Sequence, residues 1–205
     1  MSKPKSEVAL IVGGGPGISA SCARLFTEEG MKVAIAARNP DKSALKKLEA
    51  DLGVTLVACD ASDPESAASL FETVCSKLGV PDLVVHNIDG RTADIFRKSI
   101  ADADPSLVWD VLKNSTFSAF LIGQQAARCM LEKPMAEGGH RGTIVFTNAS
   151  AALKGFPNSG AFAAACHGKS GLAQSMAREL MPQGIHVAQV PIDAAIGWTQ
   201  EDGSR

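Results

Sequence analysis

Val8-Ala-Leu-Ile-Val-Gly-Gly-Gly-Pro-Gly-Ile-Ser19 is a short apolar run that feeds a glycine-dense turn, and the turn feeds an amphipathic segment ending near Gly30. This order reads as a strand, a phosphate-cradling loop and a helix. Glycine at such a turn lets the main chain take positive φ and lets a ligand approach the backbone. The helix start then offers free N–H groups and a positive dipole end to a pyrophosphate. The common dinucleotide fingerprint G-x-G-x-x-G does not fit, because its third glycine would fall on Ile18. The pattern G-x-x-x-G-x-S does fit, on Gly13, Gly17 and Ser19. A second apolar run, Met31-Lys-Val-Ala-Ile-Ala-Ala-Arg38, follows at the distance of a strand–helix–strand unit.

The alternation continues outward from this unit. Strands are expected at 8–12, 32–37, 54–59, 82–86, 142–147 and 185–191, with helices near 17–30, 41–52, 64–78, 105–131 and 159–181. Nearly continuous apolar strands between helices predict a parallel sheet covered on both faces. Gly53, Gly79 and Gly184 sit where helices should stop, and Asp41, Pro64 and Pro105 near where they should start. The reading is a single dinucleotide-binding domain over residues 1–205: a Rossmann-type, doubly wound, three-layer α/β/α fold with strand order 3-2-1-4-5-6. The polar ending Trp198-Thr-Gln-Glu-Asp-Gly-Ser-Arg205 lacks a closing helix, so either the fold is complete with six strands or its C-terminal part is missing from this sequence, and the second is favoured.

Composition narrows the function. A net charge of −2 gives no reason to expect nucleic acid or a membrane surface as partner. Cys22, Cys59, Cys75, Cys129 and Cys166 are scattered and odd in number, which points to free thiols in a reducing, cytoplasmic setting. The four histidines lack metal-ligand spacing, so no metal is expected. No apolar stretch precedes the first strand, and none approaches the length of a membrane span.

Several ordered motifs make the chain resemble the short-chain dehydrogenases/reductases over nearly all of its length. Val12-Gly-Gly-Gly-Pro-Gly-Ile-Ser19 is similar to the family's T-G-x-x-x-G-x-G, with Val12 for Thr and Ser19 for the last Gly. Asp60, after the third strand, matches the Asp that meets the adenine amino group. His86-Asn-Ile-Asp-Gly90 resembles a drifted N-N-A-G with Asn87 kept. Gly142-Thr-Ile-Val-Phe-Thr resembles the fifth strand, and Met176-Ala-Arg-Glu-Leu-Met-Pro-Gln-Gly-Ile-His-Val187 the end of the catalytic helix and the sixth strand. The resemblance implies a nicotinamide cofactor, held by Gly13, Gly17, Ile18, Arg38, Asp60 and Asn87. Ala37-Arg38 stands where NAD-binding members carry an acid. Arg38 suits a 2′-phosphate, with Lys42 as a possible second cation, so NADP(H) is favoured over NAD(H). The competing reading of Arg38 is a solvated charge at a strand end.

The family's catalytic Asn, Ser, Tyr and Lys are not reproduced, and the chain contains no tyrosine. Counting back from Glu179 and Gly184-Ile185 puts Phe162 at the Tyr position and Cys166 at the Lys position. A rival register, with Lys169 as the family Lys and Ala165 as the Tyr position, breaks the downstream spacing. The Ser position falls on Ala149, with Ser150 next to it; the Asn position falls on Ser115, with Asn114 next to it. Both neighbours also read as ordinary polar residues. Phe162, Cys166 and Lys169 share one helix stripe, and helical side chains lean toward the N-terminus, so Lys169 can reach back toward the missing ammonium. The alternative for Lys169 is a surface or dimer-interface charge.

Two functions compete, while a third, a binding protein whose cofactor site is also vestigial, is opposed by the intact glycine loop. One is an NADP(H)-dependent oxidoreductase acting on a carbonyl or alcohol with a degenerate site, in which Ser150, Asn114, Lys169, Phe162 and Cys166 surround the substrate. The other is a non-catalytic NADP(H)-binding protein of the same fold, a sensor or assembly partner. Family members pair through the helices that fall here near 105–131 and 159–181, which implies a homodimer or homotetramer.

Overall fold

The computed structural model describes residues 7–95, 97–136, 138–194 and 196. Six parallel strands form one sheet in the order β3-β2-β1-β4-β5-β6: β1 (Val8–Val12), β2 (Lys32–Ala37), β3 (Thr55–Ala58), β4 (Leu83–His86), β5 (Gly142–Ala149) and β6 (Ile185–Ile192). The expected order and direction are therefore both found. The stretch 198–205, read above as an unfinished end, lies outside the described residues.

All five residues of β1 are buried, and its side chains alternate between two cores. Leu10 and Val12 join Phe71, Ile122, Met130 and Phe146 on the face covered by α3 (Pro64–Lys77), α5 (Ser118–Leu131) and α6 (Gly160–Leu180). Ala9 and Ile11 join Val33, Ile35, Leu45 and Leu48 beneath α1 (Ile18–Glu28) and α2 (Ser43–Leu52). The period-2 pleat makes one strand serve two cores, which is why it reads as a continuous apolar run.

Local chemistry sets the helix ends. The Asp63 side chain accepts from Ser66 N at 2.7 Å and Asp104 from Ser106 N at 2.8 Å, each followed by proline at the first helical position. Gly53, at φ +69°, ends α2 in the left-handed region. The long helix expected over 105–131 is interrupted. α4 (Pro105–Leu112) runs into a π-helical turn, Lys113–Phe117, before α5 resumes. Thr116 in that turn donates its hydroxyl to Ala165 O at 2.8 Å, tying the interruption to α6. No helix among the described residues is long and apolar enough to cross a membrane.

Phe146 is fully buried at the centre of the larger core, its ring centroid 5.9 Å from that of His86. Truncating it leaves a cavity between sheet and α5. Phe146→Ala should lower unfolding stability by about 3–5 kcal/mol, read from the urea midpoint. A loss below about 1 kcal/mol would contradict this packing.

Candidate functional site

Because every strand runs the same way, the C-terminal ends of β1 to β5 open on one edge of the sheet, and the order reverses between β1 and β4. Ligands of open α/β sheets sit at such a reversal. A groove of about 530 Å³ lies there, lined by Gly13, Gly14, Arg38, Asn39, Lys42, Asp60, Asn87 and Asn114 among others. Its floor needs glycine. Gly13 has φ +103°, and a Cβ there would stand 2.3 Å from Asn87 O.

Hydrogen bonds lock this floor. Thr147 Oγ1 donates to Asn87 Oδ1 at 2.8 Å, Asn87 Nδ2 donates to Ser19 Oγ at 2.8 Å, and Ser19 Oγ donates to Gly13 O at 2.7 Å. At the far end, Asp60 Oδ1 accepts from both the hydroxyl and the backbone N–H of Ser62. Those two bonds, with the more distant charges of Arg38 and Lys113, hold the Asp60 carboxyl below its ordinary range.

Next to the groove, a cavity of about 500 Å³ brings Phe162, Cys166 and Lys169 together with Ile18, Asn87 and Thr147. The three helix residues are 8%, 2% and 1% exposed, so the stripe expected from their spacing faces inward. Lys169 Nζ donates to Ile88 O at 2.6 Å and to Thr147 O at 3.3 Å. Burial pulls its pKa down to about 8, with Cys166 and Asp89 opposing the shift. Burial also raises the Cys166 thiol, so this residue stays neutral near pH 7; the Lys169 charge acts in the other direction. His86, the last residue of β4 and wholly buried, is held neutral by desolvation and by Lys169. Its Nε2 lies 2.8 Å from Ser118 Oγ.

A third hollow, of about 520 Å³, contains Ser150 and Phe162 together with Arg91, Arg97, Asn158 and Ser159. Ser150 opens the short 3₁₀ turn Ser150–Ala152 at the exit of β5. Arg91 lines all three spaces and Phe162 two of them, so the groove and both hollows adjoin one another.

Not every expected residue joins these spaces in the anticipated way. Asn114 reaches the groove, but its side chain turns back to donate to Asp110 O at 2.8 Å, and it does not line the Lys169 cavity. The π-helical turn moves this segment off the regular helical register assumed from the spacing. Gly17 caps α1 and does not line the groove. Ile18 lines the lysine cavity instead of the groove. Ser115, at the Asn position, is buried with its hydroxyl unpartnered. His167 points out and bonds Ala163 O.

Sequence reasoning missed Asp89, Arg91 and Thr147. Arg91 Cζ stands 4.4 Å from the centroid of the Phe162 ring, and Arg91 Nη2 pairs with Asp89 Oδ2 at 3.2 Å. Asp89 Oδ1 also accepts the Arg91 backbone N–H. The Asp-Gly-Arg run was a legible signal for a turn, but not for the ring it would meet.

Comparisons with known proteins agree with this fold. Residues 13–195 match the enoyl-(acyl carrier protein) reductase family model. Mitochondrial borneol dehydrogenase from Lavandula x intermedia is 32% identical over 199 residues, covering 97% of this chain and 73% of that protein. Short chain aldehyde dehydrogenase 1 from Euphorbia lathyris is 28% identical over 185 residues. The chain covers 89% of itself but only 62% of that protein in this match, and it spans less than two thirds of four further relatives. A short-chain dehydrogenase from Rhodopseudomonas palustris superposes with a TM-score of 0.81 at 31% identity, over 93% of this chain and 86% of that one. A variant of actinorhodin polyketide ketoreductase with NADPH superposes with a TM-score of 0.80 at 28% identity, over 93% and 71%.

The lowered pKa of Lys169 has a definite sign in stability. Below about pH 8 the residue is charged in both folded and unfolded chains, and the folded state bears the cost of burying the charge. Between about 8 and 10.5 the unfolded chain holds more protons, so the parent gains stability as pH rises. Relative to Lys169→Met, the parent should therefore gain on the order of 3 kcal/mol across that window. Urea unfolding at successive pH values checks this, and a flat difference would contradict the buried ammonium.

Proposed function

Since the chain belongs to the short-chain dehydrogenase/reductase family, we propose that it is an NADP(H)-dependent oxidoreductase acting on a carbonyl or alcohol through an altered proton-transfer site. The observation that carries this reading is that the glycine-floored groove and the cavity holding Lys169 adjoin, sharing Asn87, Asp89 and Arg91 in their walls. The residues present fit a dinucleotide. A Cβ at Gly13 would collide with backbone, which leaves the floor bare for a close approach. Asp60 and Asn87 line the groove at either side of the crevice. Arg38 and Lys42 line its far end, where a 2′-phosphate suits two cations and no acid precedes Arg38.

When bound, the nicotinamide supplies or accepts the hydride. The chain's own contribution is the proton and the orientation. Phe162 has no exchangeable proton and Cys166 stays neutral, so neither replaces a tyrosine–lysine pair. Lys169 can act as an acid: an ammonium has three N–H donors, and two are held by Ile88 O and Thr147 O. The third serves the reacting oxygen or a water beside it. A pKa of about 8 suits proton donation near neutrality. Ser150 bonds the substrate oxygen from the adjoining hollow, and Asn114 contributes only to the groove wall.

The same reading assigns residues 1–205 to one domain that works as a homodimer or homotetramer in the cytoplasm. The exposed, stacked Phe117–Phe120 pair on the α5 side supports self-association. Five free thiols support a reducing compartment. A second reading, a non-catalytic NADP(H)-binding protein, is favoured by one observation: the ring facing the cleft is Phe162, and no tyrosine exists elsewhere in the chain to replace it.

Fluorescence titration should give tighter NADPH than NADH binding. Arg38→Ala should remove most of the difference, at a cost of about 1.5–3 kcal/mol. Equal affinities in the parent would rule out the preference. NADPH oxidation on a carbonyl panel should be slow in the parent and fall as pH rises through about 8, where Lys169 loses its proton. Phe162→Tyr with Cys166→Lys should raise turnover, and Phe162→Tyr alone should give part of the gain if Lys169 supplies the charge. Lys169→Ala should then erase it, an effect of about 10²–10⁴-fold for a positioned acid. Gain in none of the variants would favour the binding-protein reading.

A further inference from the structure

We infer that Lys169, as the free amine, condenses with apolar aldehydes that enter its cavity and holds them as an imine. This activity goes beyond the oxidoreductase reading, because it needs no nicotinamide. Lys169 is 1% exposed, and no other lysine among the described residues is buried. Its nitrogen is tied to main chain: Nζ donates to Ile88 O at 2.6 Å and to Thr147 O at 3.3 Å. No carboxylate among the described residues forms an ion pair with it. An uncharged amine has two N–H bonds and one lone pair. The two carbonyls take both N–H bonds, and Cε occupies the third tetrahedral direction. The lone pair holds the fourth, so a carbonyl carbon that reaches Nζ meets an electron pair and not a hydrogen. The ammonium of the same residue, with its third N–H, is the acid described above. The two roles belong to two protonation states of one group.

The surroundings suit this role. The cavity of about 500 Å³ offers Ile18, Ala149, Phe162 and Ile192 to the apolar body of an aldehyde. The charged and titratable groups around Nζ are His86 from β4, Asp89 and Arg91 from the turn that follows it, and Cys166 from α6; Thr147 and Asn148 of β5 carry no charge. Burial favours the neutral amine, and at pH 8 about half of Lys169 is unprotonated, against under about 1% of an ordinary lysine. Condensation balances without an oxidant or reductant. Nζ adds to the aldehyde carbon, the carbonyl π pair moves to oxygen, and a nitrogen proton passes to that oxygen to give a carbinolamine. The hydroxyl departs as water with one solvent proton, and the nitrogen lone pair closes the C=N bond of an iminium. One N–H remains on nitrogen, and Ile88 O, the nearer acceptor, receives it. Asp89, whose charge favours the protonated amine, favours the iminium in the same way.

Trapping on the intact chain, without NADPH, tests this. The protein is held near pH 8 with benzaldehyde and sodium cyanoborohydride, which reduces an imine to a stable secondary amine, and the modified lysines are located by peptide mass spectrometry. Lys169 should acquire the adduct at least about tenfold faster than any other lysine. The preference should vanish when the chain is unfolded in urea. Lys169→Arg should remove the preferred adduct, and near-ultraviolet circular dichroism reports whether that variant is folded. Site mapping on the parent decides the question even where the variant does not fold. Adducts spread over the exposed lysines with no lead at Lys169, or a lead that survives in urea, would overturn the proposal. A parallel NADPH titration separates it from the cofactor reading. The adduct at Lys169 in a protein that takes no NADPH sustains the imine while removing the cofactor reading, and NADPH binding without the adduct does the reverse.

Discussion

Everything at the functional edge depends on one close approach, between the turn after β1 and the main chain leaving β4. A Cβ on Gly13 would sit 2.3 Å from a carbonyl oxygen and 2.8 Å from its carbon, both of Asn87. Neither atom can yield cheaply. Asn87 N donates to Val12 O at 2.7 Å, and its side chain is held at both ends by Ser19 and Thr147. Turn, α1 and the exits of β4 and β5 are therefore a single rigid piece. Thr147 gives its hydroxyl to that piece and its carbonyl to Lys169. A change at Gly13 would be felt at the ammonium through bonded contacts alone, without a moving part between them.

The fold was legible because its signals were local and redundant. Five buried residues in β1, aspartate-then-proline at two helix starts and glycine at a left-handed helix stop each speak for a boundary without help from distant parts of the chain. The site was legible only in part. Spacing alone put Phe162, Cys166 and Lys169 on one stripe, and they do share a cavity. What Lys169 bonds was hidden, since its partners are main-chain carbonyls and any residue could supply them. Arg91 was hidden for a related reason: its partner ring is 71 positions away in the chain, and no pattern along the sequence joins a loop arginine to a helical phenylalanine. The turn of Asn114 back onto its own helix was hidden, because nothing in the Lys-Asn-Ser-Thr-Phe run marks a π-helical turn.

Lys169 and Arg91 together change the electrostatic character of the cavity they share. One cation is buried, desolvated and able to lose its proton near pH 8. The other is more exposed, permanently charged and oriented by an acid beside it. Between them lie a neutral thiol and an apolar ring. An anionic group entering this cavity would meet charge at two different depths, one that responds to pH and one that does not.

The π-helical turn gives the long helix two frames of reference. Before it, Val111 packs with Ala161 and Ala165 of α6; after it, Ile122, Ala126 and Met130 pack on the sheet. A continuous α-helix advances about 100° per residue, so one extra residue in the turn is an angular offset between those two commitments. The turn is thus a phase shifter. Removing one residue between Lys113 and Phe117 would not simply shorten the helix. It would swing Ser118 away from His86 by roughly that same 100°, and one of the two packing faces would be left facing the wrong neighbour. Length variation in this segment is therefore constrained by rotation before it is constrained by distance.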